Sequence, residues 1–219
     1  MSVVAIDGPA GAGKTTIAKA VAETLGWDYV DTGAMYRAVT LKALDEGIDP
    51  NDGERLGAAA DEADIAFHDG TVLLNGNDVT ERIRSGEVTN SVPAVAAQPA
   101  VRRALMQRQR AVAGRDNVVM EGRDIGTVVA PDALLKVFLT ASLEERARRR
   151  LHDVGSDETP EHLMNMRKAL GDRDTADSER ELSPLKLPPD AVTIDTTGKA
   201  VPEIVSEIVG LVKERLHAG

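Results

Sequence analysis

Eight residues near the N-terminus, Gly8-Pro9-Ala10-Gly11-Ala12-Gly13-Lys14-Thr15, place Gly-Lys-Thr four residues after a leading glycine. Glycines at this spacing let the chain wrap so that successive backbone N–H groups point at a single phosphate. A helix that opens at Lys14 adds the partial positive charge of its N-terminus. Lys14 reaches the outer phosphates of a nucleoside triphosphate, and the Thr15 hydroxyl suits Mg²⁺. The stretch from Gly8 through Thr16 thus reads as a cradle for ATP and Mg²⁺, with Thr15 as the metal-binding residue.

Three further constellations suit anion handling. In Asp31-Thr32-Gly33-Ala34-Met35-Tyr36-Arg37, Thr32 is placed to cap the next helix, with Tyr36 and Arg37 about one turn in. Those two either reach an acceptor phosphate or belong to an ordinary capped helix. Glu121-Gly122-Arg123-Asp124-Ile125-Gly126-Thr127 follows a strand, and strand ends of doubly wound sheets are where ligands bind. A salt-bridged loop is the plainer alternative. Arg173, Asp177 and Arg180 fall at i, i+4 and i+7, so on a helix they share a face. They form either a grip on phosphate and ribose or a surface ion-pair ladder.

The elements that must position these groups alternate. Short apolar runs at Val3–Asp7, Tyr29–Asp31, Asn117–Glu121, Leu134–Leu139 and Ala191–Asp195 read as strands buried on both faces, which implies a parallel sheet. Helical patterns fill residues 14–26, 34–46, 53–64, 99–113, 143–152, 160–171 and 201–217. Ser142 and Glu145 spell a capping box for the fifth helix. Val201, Ile204, Val205, Ile208, Val212 and Leu216 line one side of the last. Between residues 64 and 77, two apolar runs flank His68-Asp69-Gly70, with Asn75-Gly76 after them, which predicts a hairpin in an inserted lobe over about 60–95. The polar stretch 152–160 reads as irregular.

Composition narrows the function classes. The 219 residues suit one domain, and the absence of cysteine removes disulfides, thiolate metal sites and thiol nucleophiles. No apolar run is long enough for a membrane span, and a cytoplasmic location is expected. The net charge of −10 argues against nucleic-acid polymers and membranes as partners. The charge is uneven: residues 1–99 carry 16 acidic and 7 basic groups, whereas 100–186 carry 15 and 16. None of the eight lysines follows an asparagine, so the guanine reader of a GTPase is missing. A compact chain with arginines spread through its second half favours a small-molecule kinase, which must hold a second anion beside the γ-phosphate.

Taken in order, the Gly8–Thr15 loop, Asp31-Thr-Gly-Ala-Met-Tyr-Arg37, Glu121-Gly-Arg-Asp-Ile-Gly-Thr127 and Arg173-Asp-x-x-Asp-x-x-Arg180 resemble the bacterial cytidylate kinase (CMP kinase) family of P-loop nucleoside monophosphate kinases. The resemblance covers essentially the whole chain. It implies an α/β P-loop kinase fold: a five-stranded parallel sheet with helices on both faces, an inserted NMP-binding lobe and a mobile lid. The single domain divides into a core of about 1–59, 96–150 and 182–219, the insertion at about 60–95, and a lid at about 151–181. The activity implied is transfer of the ATP γ-phosphoryl group to CMP or dCMP with Mg²⁺. Apart from the resemblance, no exposed coiled-coil seam shows in the sequence, and a monomer is expected.

By the same resemblance, Lys14, Arg123 and Arg180 carry catalysis. Thr32, Tyr36, Arg37, Arg123 and Arg180 surround the acceptor phosphate, Arg173 and Asp177 serve phosphate and ribose, and Arg102 and Asp124 read the cytosine edge. Arg84 belongs to the inserted lobe, and Arg146, Arg149 and Arg150 are lid candidates. Two positions depart from the family pattern. Glu121 stands where many relatives have aspartate, and Pro93 where some have a base-contacting serine, with Ser91 as a possible substitute. The competing readings are another P-loop kinase, for UMP, AMP or shikimate, and a nucleotide-binding module without catalysis.

Overall fold

The computed structural model describes residues 1–68 and 70–218; Asp69, at the expected hairpin turn, and Gly219 lie outside the described residues. The chain divides into two compact units, Met1–Tyr29 with Ala113–Gly219, and Val30–Val112.

The first unit is built on a parallel sheet. Its strands are β1 (Val3–Asp7), β2 (Asp28–Asp31), which carries the chain into the second unit, β6 (Val118–Gly122), β7 (Leu135–Thr140) and β8 (Val192–Asp195), and they pair in the order β2-β6-β1-β7-β8. β1 is central, in parallel register with β6 from Val3↔Val118 to Asp7↔Gly122 and with β7 from Val4↔Leu135 to Asp7↔Phe138. Adjacent parallel ends bring Asp7, Glu121 and Gly122 to one edge, where the loop after β1 begins. Val4, Ile6, Val119, Leu135, Val137 and Leu139 bury the sheet against α1 (Lys14–Leu25) and α8 (Val201–Ala218). The apolar stripe of α8 is buried only in its middle, from Ile204 to Val212; Val201 and Leu216 at its ends are exposed.

Two helices complete this unit, α6 (Leu143–Asp153) and α7 (Pro160–Glu179), packed through Leu143, Ala147, Leu163, Met166 and Leu170. The helix expected to stop at residue 171 continues to Glu179, because Gly171 sits where α7 approaches Leu143 and breaks nothing. The capping box of α6 forms only by half. Ser142 Oγ accepts from the Glu145 N–H at 3.2 Å, but the Ser142 N–H donates to Thr197 Oγ1, and the Glu145 carboxylate turns to Arg149 instead.

The second unit starts earlier and ends later than the 60–95 lobe. Its three-stranded antiparallel sheet, β3 (Ile65–His68), β4 (Thr71–Leu74) and β5 (Asn77–Asp78), turns at Asn75-Gly76 with positive φ at both residues. Around it lie α2 (Thr32–Asp45), α3 (Gly53–Glu62), α4 (Gly86–Ala97) and α5 (Pro99–Ala113). They share one core with the hairpin, including Met35, Val39, Leu56, Val72, Leu74, Ile83, Val88 and Leu105, which is why the flanking helices belong to the unit.

Asp7 ties the end of β1 to the loop after β6. Its carboxylate is 1 % exposed and accepts from the Ile125 N–H at 2.9 Å and the Gly126 N–H at 2.7 Å. Those amides open a wide turn, Ile125–Val129, that leads away from Arg123-Asp124. Burial pushes the Asp7 carboxyl up to about 6, against the two amides that favour its charged form. Because this lies above the ordinary 3.8, the folded chain holds the proton more tightly than the unfolded one. Asp7 therefore contributes stability that is fully present below its unfolded value and lost as pH rises through its folded value. Asp7→Asn removes the titration. Urea unfolding of both proteins from about pH 4 to 7 is expected to show the stability difference moving toward the variant by roughly 3 kcal/mol. A difference constant across that window contradicts the assignment.

Candidate functional site

The loop from Gly8 to Gly13 is shaped by positions that only glycine fills. Gly8, Gly11 and Gly13 have φ of 150°, 78° and 86°, and a Cβ on Gly8 would stand 2.1 Å from the Leu139 carbonyl oxygen. Gly13 caps α1 without any side-chain hydrogen bond, so the first-turn amides are left for a ligand. Lys14 is buried, and its Nζ donates to the Pro9 carbonyl at 2.8 Å, folded back across the loop. Burial, then the nearby Arg123 and Arg173 guanidiniums, lower its pKa to about 7, against the pull of Glu121 and Asp7. Like charges that lower the Lys14 pKa in this way favour an anion beside them.

Asp177 organises the arginines. Its Oδ2 accepts from Arg123 Nε at 2.9 Å and its Oδ1 from Arg180 Nη1 at 3.0 Å, and all three side chains are largely buried. Burial works to raise this carboxyl, but the charges of Arg123, Arg180 and Arg173 and the Arg123 hydrogen bond hold it below the ordinary carboxylate value. The sequence pairs Arg173 with Arg180 around Asp177. The structure adds Arg123 to this group: it and Arg180, just past the end of α7 at Glu179, hold Asp177, on which the charge of Arg173 also acts. Arg123 comes from 54 residues away, a contact that helical spacing does not reveal.

The lid candidates separate by direction. Arg146 is buried against the phosphate loop, donating to the Ala10 carbonyl at 3.1 Å and to Asp174 Oδ2 at 2.6 Å. Arg149 donates to Thr196 Oγ1 at 2.9 Å and to the Thr196 carbonyl at 2.8 Å, with Nη1 beside Gly13. Arg150 points elsewhere, 4.0 Å from Asp153. Thr196, 1 % exposed, also donates to the Ala12 carbonyl at 3.3 Å, so the turn after β8 braces the loop.

The Thr15 hydroxyl donates to Glu121 Oε2 at 3.1 Å, and the Tyr29 phenol donates to Glu121 Oε1. A hydroxyl and a carboxylate side by side are hard oxygen donors of the kind Mg²⁺ takes. Among the described residues, no three His, Cys, Asp or Glu side chains gather into a metal cage. The donor set therefore fits a cation whose remaining ligands are phosphate and water.

In the second unit, the cap of α2 is Asp31, whose Oδ1 accepts from the Ala34 N–H at 2.9 Å; Thr32 is instead the first helical residue, and buried. Both are good cap residues, so sequence alone leaves the register open by one. The Arg102 guanidinium lies 5.2 Å from the centre of the Tyr36 ring, and its Nη1 donates to the Ala96 carbonyl at 3.1 Å. Arg37 Nη1 donates to the Ile83 carbonyl at 3.2 Å and to Thr89 Oγ1 at 3.0 Å. Arg84 is exposed on a short turn, Arg82–Arg84. Pro93 lies on the exposed side of α4, and Ser91 stands about 200° around the helix from it, so the two do not share a face.

Four contributors escaped the sequence reading: Asp7, Tyr29, Asp174 and Thr196. Asp7 carries a usable signal, a carboxylate closing a strand directly before the glycine loop. The other three contact residues distant in sequence and carry none.

Comparisons with known proteins show which family the chain resembles along its length. The family model described as cytidylate kinase matches residues 4–214. A cytidylate kinase of Geobacillus kaustophilus is 49% identical over 97% of both chains, and one of Solibacter usitatus is 48% identical over 99% of this chain and 94% of its own. A solved gluconokinase structure from Sinorhizobium meliloti superposes with a TM-score of 0.53 at 16% identity, covering 97% of this chain and 92% of that one, a likeness of fold. With a family model matching residues 4–214 and near-full-length identity close to one half, the chain belongs to the cytidylate kinase family.

Proposed function

We propose that this protein transfers the γ-phosphoryl group of ATP to CMP or dCMP, giving ADP and CDP or dCDP. What supports the reading is the largely buried Asp177 holding Arg123 at 2.9 Å and Arg180 at 3.0 Å. A nucleotide-binding module needs the Lys14 loop; it does not need two guanidiniums fixed on one carboxylate. A phosphoryl transfer between two phosphates does, because charge on the moving group and on both flanking oxygens must be neutralised together.

Glycine-loop amides from Gly8 to Thr16 and Lys14 hold the donor phosphates. Thr15 and Glu121 would hold Mg²⁺, which when bound would supply neutralisation of phosphate charge. Arg123 and Arg180, fixed by Asp177, act on the acceptor phosphate and the transferring group. Arg173 and Asp177 also serve the acceptor's phosphate and ribose. Thr32, Tyr36, Arg37 and Arg84 are assigned to the acceptor nucleotide, and Arg102 and Asp124 to the cytosine edge. The attacking atom is already a phosphate oxygen, so no strong general base is required, and transfer is direct, without a covalent enzyme intermediate. The insertion at about 60–95 is proposed as the NMP-binding lobe, and about 151–181 as a mobile lid. No helix among the described residues is long and apolar enough to cross a membrane. A cytoplasmic monomer without nucleic-acid partners is the accompanying proposal.

Release of ADP from MgATP, measured across CMP, dCMP, UMP, AMP, dTMP and shikimate, is expected to be dominated by CMP and dCMP. A response led by UMP or AMP identifies a different kinase, and a flat response identifies a binding module. Arg123→Ala and Arg180→Ala are each expected to lower kcat by about 10²–10³-fold with an unchanged far-ultraviolet dichroism spectrum. Near wild-type kcat/KM for CMP in either variant overturns these roles.

A further inference from the structure

Tyr29 has no part in the assignments above, yet its hydroxyl is spent on the phosphate site. It is the second residue of β2, and its ring packs on the core of the first unit. Lys19 Nζ lies 5.6 Å from the ring centre, one helical turn beyond Thr15 on α1. The phenol O–H donates to Glu121 Oε1 while the Thr15 hydroxyl donates to Oε2. The two oxygens of one carboxylate are thus held by hydroxyls from two different elements, and Glu121 is only 3 % exposed.

This arrangement answers a mechanical problem. A glutamate carries one more side-chain torsion than an aspartate, and its terminal torsion is soft. Without the phenol, Oε1 loses a donor that resists rotation of the Glu121 carboxylate about that torsion. A second donor on Oε1 fixes the carboxylate plane. With its proton committed to Oε2, the Thr15 oxygen presents its lone pairs on the opposite side, as a hard-cation ligand must. Partners of this kind, one step removed from a metal, orient its ligands and tune its affinity.

We propose that Tyr29 is a positioning residue for the nucleotide-borne Mg²⁺: by holding Glu121 Oε1 it keeps Oε2 on Thr15, and so sets how tightly the metal is held. The inference rests on the reading of Thr15 and Glu121 as the metal-holding pair. It also accounts for the longer carboxylate at position 121, which spans from the Thr15 hydroxyl to a phenol on the edge strand.

Tyr29→Phe removes the hydroxyl and keeps the ring. The readout is calorimetric binding of ATP, without acceptor, across a series of Mg²⁺ concentrations and in EDTA. The variant is expected to need about tenfold more Mg²⁺ for half-maximal tightening, with ATP affinity in EDTA and the urea midpoint unchanged. A Mg²⁺ dependence within twofold of wild type overturns the proposal, as does an equal loss of ATP affinity in EDTA. Glu121→Asp supplies the second arm, because the shorter side chain cannot reach both hydroxyls. In that background Tyr29→Phe is expected to add nothing; fully additive effects on Mg²⁺ dependence overturn the coupling. A wild-type protein whose ATP affinity ignores Mg²⁺ overturns the reading of Thr15 and Glu121 itself, a result distinguishable from failure of the Tyr29 variant alone.

Discussion

The structure around the glycine loop depends on keeping positive charges together in a place with little water. Lys14, Arg123 and Arg173 raise one another's electrostatic energy, and burial deepens the cost. Carboxylates answer this by position. Asp177 grips Arg123 and Arg180, Asp174 takes Arg146, and Glu121 and Asp7 act on Lys14 from the strand ends. Arg123, Arg180 and Arg146 are each held by a carboxylate oxygen on one side, which limits the directions of their remaining donors. Donors fixed in advance stabilise developing charge most effectively.

The sheet explains why these carboxylates can be where they are. Parallel strands present their C-terminal ends along one edge, and β1 and β6 are in register at Asp7↔Gly122. Asp7 and Glu121 therefore leave the sheet side by side, one reaching into the turn after Arg123-Asp124 and the other onto the opening turn of α1. The turn after β8 adds a third support, through Thr196 and Arg149. Most of the polar side chains supporting the loop thus come from strand ends or the turns that follow them.

Much of this was legible along the chain, for a physical reason. The phosphate loop is local, and its residue types, spacing and flanking elements are contiguous. The five sheet strands are apolar runs long enough to show, and their boundaries shift by only one residue, as from Asn117–Glu121 to Val118–Gly122. What stayed hidden depends on contacts across the fold. Tyr29 meets Glu121 across 92 residues, and Thr196 meets Ala12 across 184. Helix α4 was not read as a helix from the sequence; its Pro93 lies on the exposed side, where only one helical hydrogen bond is given up. The Asp31 cap was lost to a one-residue ambiguity between two suitable side chains.

Gly8 bears on how inactive controls should be chosen. Its missing side chain is demanded by the neighbouring strand, since the Leu139 carbonyl occupies the space a methyl group would need. A substitution there deforms β7 whether or not a nucleotide is ever present. Gly13 is different: its nearest neighbours are side-chain tips, the Ile17 methyl at 3.5 Å and Arg149 Nη1 at 3.6 Å. The leading glycine is demanded by the strand beside it, the last by the left-handed turn of its own backbone. A knockout made at the first deforms a neighbouring strand; one made at the second strains only the chain where the loop enters α1.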